Sequence, residues 1–234
     1  MKNIKALILA FLVSLFGSSY ALAELGFTVG VTGSMAMIDA TGSETEGKGG
    51  RETTQAEATN NTAVGSVFVE YNDIMGSGFS LGIDYIPGSA DISSSAKIRQ
   101  DSETSVTDTA TETTTARTNK AQAEIENHIT YYATYTTDGG VYLKAGYVQV
   151  DLNTLESLDT GSKYGNDTLD GIAYGAGVEF EVYNNTMGRL ELSHIDYGEI
   201  DLTSSVARAG VTGNNRILAD IDVTLLSASL GYKF

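Results

Sequence analysis

The chain has 234 residues, 41% of them apolar, with 26 Gly, 1 Pro, no Cys and no Trp; 30 acidic against 14 basic residues give a formal charge of −16. One domain is expected at this length. So acidic a chain, with no stripe of Lys and Arg, repels phosphate backbones and is not expected to bind nucleic acid, and the lack of cysteine excludes disulfides, thiolate catalysis and thiolate metal sites. Only two histidines are present, His128 and His194, so neither a metal nor a cofactor is expected.

Residues 1–23 read as a cleaved signal peptide. Lys2 and Lys5 form the charged start, Ala6 to Phe16 the apolar stretch, and Ala21-Leu22-Ala23 a small-residue cleavage site ahead of Glu24. The apolar stretch spans only about 16 Å as a helix, roughly half a bilayer core. The domain is therefore expected over residues 24–234, with a net charge of −18 once the two lysines are lost.

Beyond residue 23 no apolar run is long enough for a spanning helix. Apolar residues instead recur with a period of two, as in strands that present two faces to different surroundings. Phe27, Val29, Val31, Met35 and Met37 alternate with Thr28, Gly30, Thr32, Ser34 and Ala36. Val67, Val69 and Tyr71 alternate with Ser66, Phe68 and Glu70, and Phe79, Leu81, Ile83 and Tyr85 with Ser80, Gly82 and Asp84. Ile125, Ile129, Tyr131, Ala133 and Tyr135 oppose Glu124, Glu126, His128, Thr130 and Thr134; Val141, Leu143, Ala145 and Tyr147 oppose Lys144 and Gly146. Three more segments follow the rule: Ile172 to Val182, Leu190 and Leu192 against Arg189, Glu191 and Ser193, and Leu226 to Phe234. Eight segments of about ten residues match strands tilted across a bilayer.

Three features distinguish a membrane barrel from a soluble sandwich. The minority face is small or charged, as a narrow polar interior requires. Short turns at 72–78, 137–140 and 183–188 alternate with long polar stretches at 39–62, 88–122, 151–170 and 198–217, so short turns collect at one rim and long loops at the other. Aromatics on the apolar face gather near strand ends: Phe27, Tyr71, Phe79, Tyr135, Phe180, Tyr232 and Phe234 by the short turns, and Tyr85, Tyr147 and Tyr174 higher up, in the manner of two interfacial girdles. Hydrocarbon offers the backbone no hydrogen-bonding partner, so the first and last strands must join. The expected fold is all-β, an eight-stranded antiparallel up-and-down transmembrane β-barrel. Residues 88–122 carry too few apolar side chains to add a lipid-facing strand pair; an extension of strands or a loop is expected there.

The closing residues Leu230-Gly231-Tyr232-Lys233-Phe234, together with Gly171–Val182 and Arg189-Leu190-Glu191-Leu192, resemble the small outer-membrane barrels of Gram-negative bacteria, the group of OmpA-like transmembrane domains and opacity-type porin-family surface proteins. The resemblance implies an outer-membrane location in lipid and lipopolysaccharide, with Leu230, Tyr232 and Phe234 as the signal read by the assembly machinery; a monomer is expected. It does not carry over a wall-anchoring role.

With the apolar face outward, Glu70, Glu179, Glu181, Glu191, Lys144, Arg189 and Lys233 point inward in the short-turn half. They are expected to form an ion-pair network that plugs the lumen, giving a non-enzymatic structural or surface-interaction protein whose loops contact an extracellular ligand. The alternative is a narrow cation-preferring porin or channel with an acidic constriction. Catalysis is not expected: Ser193 and His194 are adjacent on one strand and so face opposite ways, while His128 reads as a lumen-filling side chain.

Overall fold

The structure, a computed structural model, describes residues 26–45, 47, 53–106, 112–158, 162–206 and 213–234; the signal-peptide segment with Ala21, Ala23 and Glu24 lies outside them. The strands are β1 (Phe27–Thr45), β2 (Thr53–Tyr71), β3 (Phe79–Asp91), β4 (Lys97–Val106), β5 (Glu112–Ala121), β6 (Ala123–Thr136), β7 (Val141–Thr154), β8 (Asp167–Tyr183), β9 (Thr186–Tyr197), β10 (Ile200–Thr203) and β11 (Arg216–Lys233). Eight of them form an antiparallel sheet in the order β1-β2-β3-β6-β7-β8-β9-β11, which β1 closes by pairing with β11 from Thr28↔Lys233 to Thr45↔Arg216. The β4–β5 pair is a separate two-stranded sheet, and β10 pairs with β11.

The expected eight-stranded barrel is present, but its strands are longer than the alternation suggested. β1 and β2 each run for 19 residues, whereas about 9–11 tilted residues cross a hydrocarbon core. Thus 39–62 is mostly strand, and 88–122 contains the β4–β5 hairpin. These extensions escape the apolar pattern because polarity inverts along each strand. On the outer face of β1, exposed Val31, Met35 and Met37 give way to Asp39; inside, Thr28, Thr32 and Ser34 give way to Ala36 and Ile38. Asp39, Asp222 and Asp196 are successive register partners across β1, β11 and β9, and they mark where the outer wall leaves lipid. From just below their level upward the interior is an apolar core that includes Ile38, Ile125, Val148, Val150, Leu152, Ile195, Ile221 and Leu225.

One stretch departs from the expected facing. Asn127 adopts a left-handed conformation (φ 59°), and the β6–β7 register slips between Glu126 and Ile129. This β-bulge inserts an extra residue and reverses the alternation beyond it. Ile125, expected toward lipid, therefore joins the interior core, and Glu124 and Glu126, expected inside, take the opposite face. The facing β3 slips as well, between Ile86 and Ser89.

Inside the short-turn half, large rings fit because glycines stand beside them. Tyr132 is 6% exposed and pairs with Gly82 on β3, where an added Cβ would fall within the tyrosine ring. Gly82→Val is expected to expel that ring and lower unfolding stability in lipid vesicles by about 1–3 kcal/mol, the range for overpacking, read as an earlier urea midpoint.

Candidate functional site in the lumen

The inward rows of β2, β7, β8, β9 and β11 bring charged side chains together below the apolar core. Arg189 on β9 is the centre and is 7% exposed. Its Nη1 and Nη2 donate to the two carboxylate oxygens of Glu70 on β2 at 2.8 and 2.6 Å, while Nε and Nη2 donate to Glu179 Oε2 at 2.9 and 2.7 Å. The first pair is a planar fork, the geometry for which guanidinium is best suited. Glu70 is 1% exposed, and its strand is not a neighbour of β9, so this bond is a strut across the lumen. Lys233 Nζ completes Glu179 by donating to Oε1 at 2.6 Å.

A second group sits beside the first. Glu191 accepts from Tyr142 Oη at 2.8 Å and from Lys144 Nζ at 3.0 Å. Lys144 also lies 4.7 Å from the Tyr132 ring centroid, and the Arg189 guanidinium 5.3 Å from that of Tyr142, both within cation–π range. Asp84 accepts from Ser66 Oγ at 2.8 Å. A cavity of about 60 Å³ remains between these groups and the apolar core, which at ~30 Å³ each is room for about two waters.

Of the seven residues expected in the network, Glu70, Lys144, Glu179, Arg189, Glu191 and Lys233 meet as described. Glu181 does not: it is exposed at the short-turn rim, past the level of Arg189, and makes no ion pair among the described residues. Asp84, bonded to Ser66, lines the same cavity as a further carboxylate but makes no ion pair among the described residues. Tyr142 and Tyr132 belong to the site although the alternation gave them no role; their even-numbered positions, in the same rows as Lys144 and Thr130, were the available signal. Leu230 and Tyr232 are about half exposed on the outer face, Tyr232 and Phe234 stack edge-on at 5.0 Å, and the Phe234 N–H donates to Phe27 O at 2.9 Å. His194 Nδ1 lies 3.1 Å from Thr224 Oγ1 on the outer face, whereas Ser193 is buried in the lumen. At the loop end, Arg216 donates twice to Asp201 and holds that carboxyl below its usual range through these hydrogen bonds.

A closed eight-stranded wall, apolar where it meets lipid and lined with charge within, defines an outer-membrane β-barrel. The family described as "Outer membrane protein beta-barrel domain" matches residues 8–234, and the chain belongs to it, which places it in the Gram-negative outer membrane. Solved barrels resemble it at low identity. OprG of Pseudomonas aeruginosa aligns at 12% identity over 89% of this chain and 96% of its own, with a TM-score of 0.51. Neisserial surface protein A gives 14% identity over 89% and 97%, at 0.44, and the Escherichia coli protease OmpT 11% over 89% and 97%, at 0.46. No curated protein matches the sequence.

Arg189→Met leaves Glu70 buried without its partner and is expected to cost about 3–5 kcal/mol in unfolding stability. Adding Glu70→Gln should recover most of that loss, a coupling that a double-mutant cycle in urea measures directly.

Proposed function

We propose that this protein is a non-conducting outer-membrane barrel with a structural or surface-interaction role, its lumen plugged by the Arg189 network. The carrying observation is the Arg189–Glu70 strut with only about 60 Å³ left beside it. An ion crossing there would have to displace paired, largely desolvated charges. Four carboxylates (Glu70, Asp84, Glu179, Glu191) against three cations (Lys144, Arg189, Lys233) give whatever leak remains a preference for cations, and this is all that the channel reading retains.

Interaction with the exterior then falls to the loop end, where β1, β2 and β11 project beyond lipid and the β4–β5 hairpin stands apart. Functional variation on a rigid scaffold is concentrated in such segments. A non-enzymatic role accords with Ser193 and His194 lying on opposite sides of the wall. The chain acts as a monomer in lipid and lipopolysaccharide, with Leu230, Tyr232 and Phe234 presented to the assembly machinery, and residues 1–23 are removed on export.

Planar-bilayer recording of refolded protein should show no steady conductance of porin size, and Arg189→Ala should open a small cation-preferring one. A large open state in the unmodified protein would refute the plug.

A further inference from the structure

The carboxylates of the lumen are not all paired. Arg189 is bonded to Glu70 and Glu179, Lys233 to Glu179, and Lys144 to Glu191. Asp84 has a single hydrogen bond, from Ser66 Oγ to Oδ2 at 2.8 Å, and its other oxygen has no partner among the described residues. Lys144 lines the same cavity, but its Nζ is bonded to Glu191 and forms no ion pair with Asp84. Four acids against three bases leave one negative charge in excess, and it falls on Asp84. A carboxylate held away from bulk water is strongly disfavoured unless a positive charge meets it.

Around Asp84 the wall supplies oxygen. Thr130 is its register partner on β6. Ser66 stands on β2, two residues from Phe68, the partner of Asp84 on that strand. All three line the cavity of about 60 Å³, to which β1 and β11 add the hydroxyls of Ser34 and Ser227, 2.8 Å apart. Asp84 is only part-buried, and its open oxygen is not sealed from water as His128 Nδ1 and Thr134 Oγ1 are. A hydroxyl that donates to a carboxylate still has lone pairs for a cation.

We propose that this cavity holds one alkali cation, sodium or potassium, bound by Asp84 and by the hydroxyl oxygens of Ser66 and Thr130, with water completing its shell. One excess charge and one carboxylate suit a monovalent ion. Calcium takes six to eight oxygens and magnesium keeps several waters, more than a space for about two waters allows. The proposal deepens the plug reading and rests on it, because only a lumen closed to bulk water makes the unpaired carboxylate costly.

The test is urea unfolding of the refolded protein in lipid vesicles, in NaCl, KCl or tetramethylammonium chloride at one ionic strength and one pH. Tetramethylammonium is too large for the cavity. Above half-saturation, each tenfold increase in sodium or potassium, exchanged for tetramethylammonium, should raise the folding constant about tenfold. Asp84→Asn keeps the size of the side chain and an oxygen for Ser66 but removes the charge, and it should fold equally well in all three salts. Thr130→Val carries the test if that variant fails to fold: it should raise the half-saturating cation concentration, and an unchanged one would overturn the proposal. Equal stability of the unmodified protein in the three salts, with no conductance in planar bilayers, would overturn it and leave the plug standing, a proton then neutralising Asp84. Equal stability together with a porin-sized conductance would overturn both readings. A cation response that survives in Asp84→Asn would put the ion on other acids and overturn the proposal as well.

Discussion

Everything in this molecule follows from the inability of hydrocarbon to hydrogen-bond a peptide group. The wall must satisfy its own backbone, and it does so by joining β1 to β11 along nearly their full lengths. Closure at eight strands in turn fixes an interior that side chains can fill. What enters that interior is decided by a second consequence: side chains alternate, so a wall that is apolar outside sends every other residue inward whatever its chemistry. Charges in the lumen are thus confined, and the mutual pairing of Arg189, Glu70, Glu179 and Lys233 is how their burial becomes tolerable.

The same reasoning explains why the interior changes character partway up. Within lipid, outer positions are apolar and inner ones polar. Once the strands clear the membrane the outer wall meets water, and the assignment reverses: Asp39 stands outside and Ile38 inside. The upper barrel is built like a small soluble protein with an ordinary apolar core, mounted on a membrane-spanning base with a charged one. That inversion accounts for a strand such as β1 reaching 19 residues, about twice the length that lipid requires.

How much of this could be read from the sequence follows from which residues each surrounding demands. Lipid admits few side chain types, so Val31, Met35, Leu143, Ile172 and Leu226 made the membrane half legible, together with closure and the short-turn rim. Water admits many. Ala40, Ala56 and Ala58 alternate with threonine, glutamate and asparagine, and in such company a strand looks like a loop. Parity placed the lumen charges on the right face, but it could not choose partners across the ring, because that depends on how far the strands are sheared when they close. Glu181 shows the limit. It shares parity with Glu179, yet the register shifts between Glu181 and Tyr183 and it stands past the end of the lumen, whereas Asp84, higher on β3, lines the cavity without an ion pair.

The least regular part of the wall has local causes that a period-two reading passes over. The chain's single proline lies in β3 at Pro87, where it has no N–H to give either neighbour, and Gly88 beside it takes a positive φ. Opposite them, Asn127 makes the bulge that turns Ile125 inward. The two irregularities face each other across β3 and β6, so the ladder between them skips and β3 loses its hold on β2. Backbone without a ladder partner is tolerated at membrane depth where it borders a cavity, and one of about 160 Å³ lies behind this stretch. The inward Ile125 and the gap between β2 and β3, which pair only from Val67↔Tyr85 to Tyr71↔Leu81, are therefore one feature, produced by the Pro87–Gly88 pair and Asn127 acting on an otherwise continuous sheet.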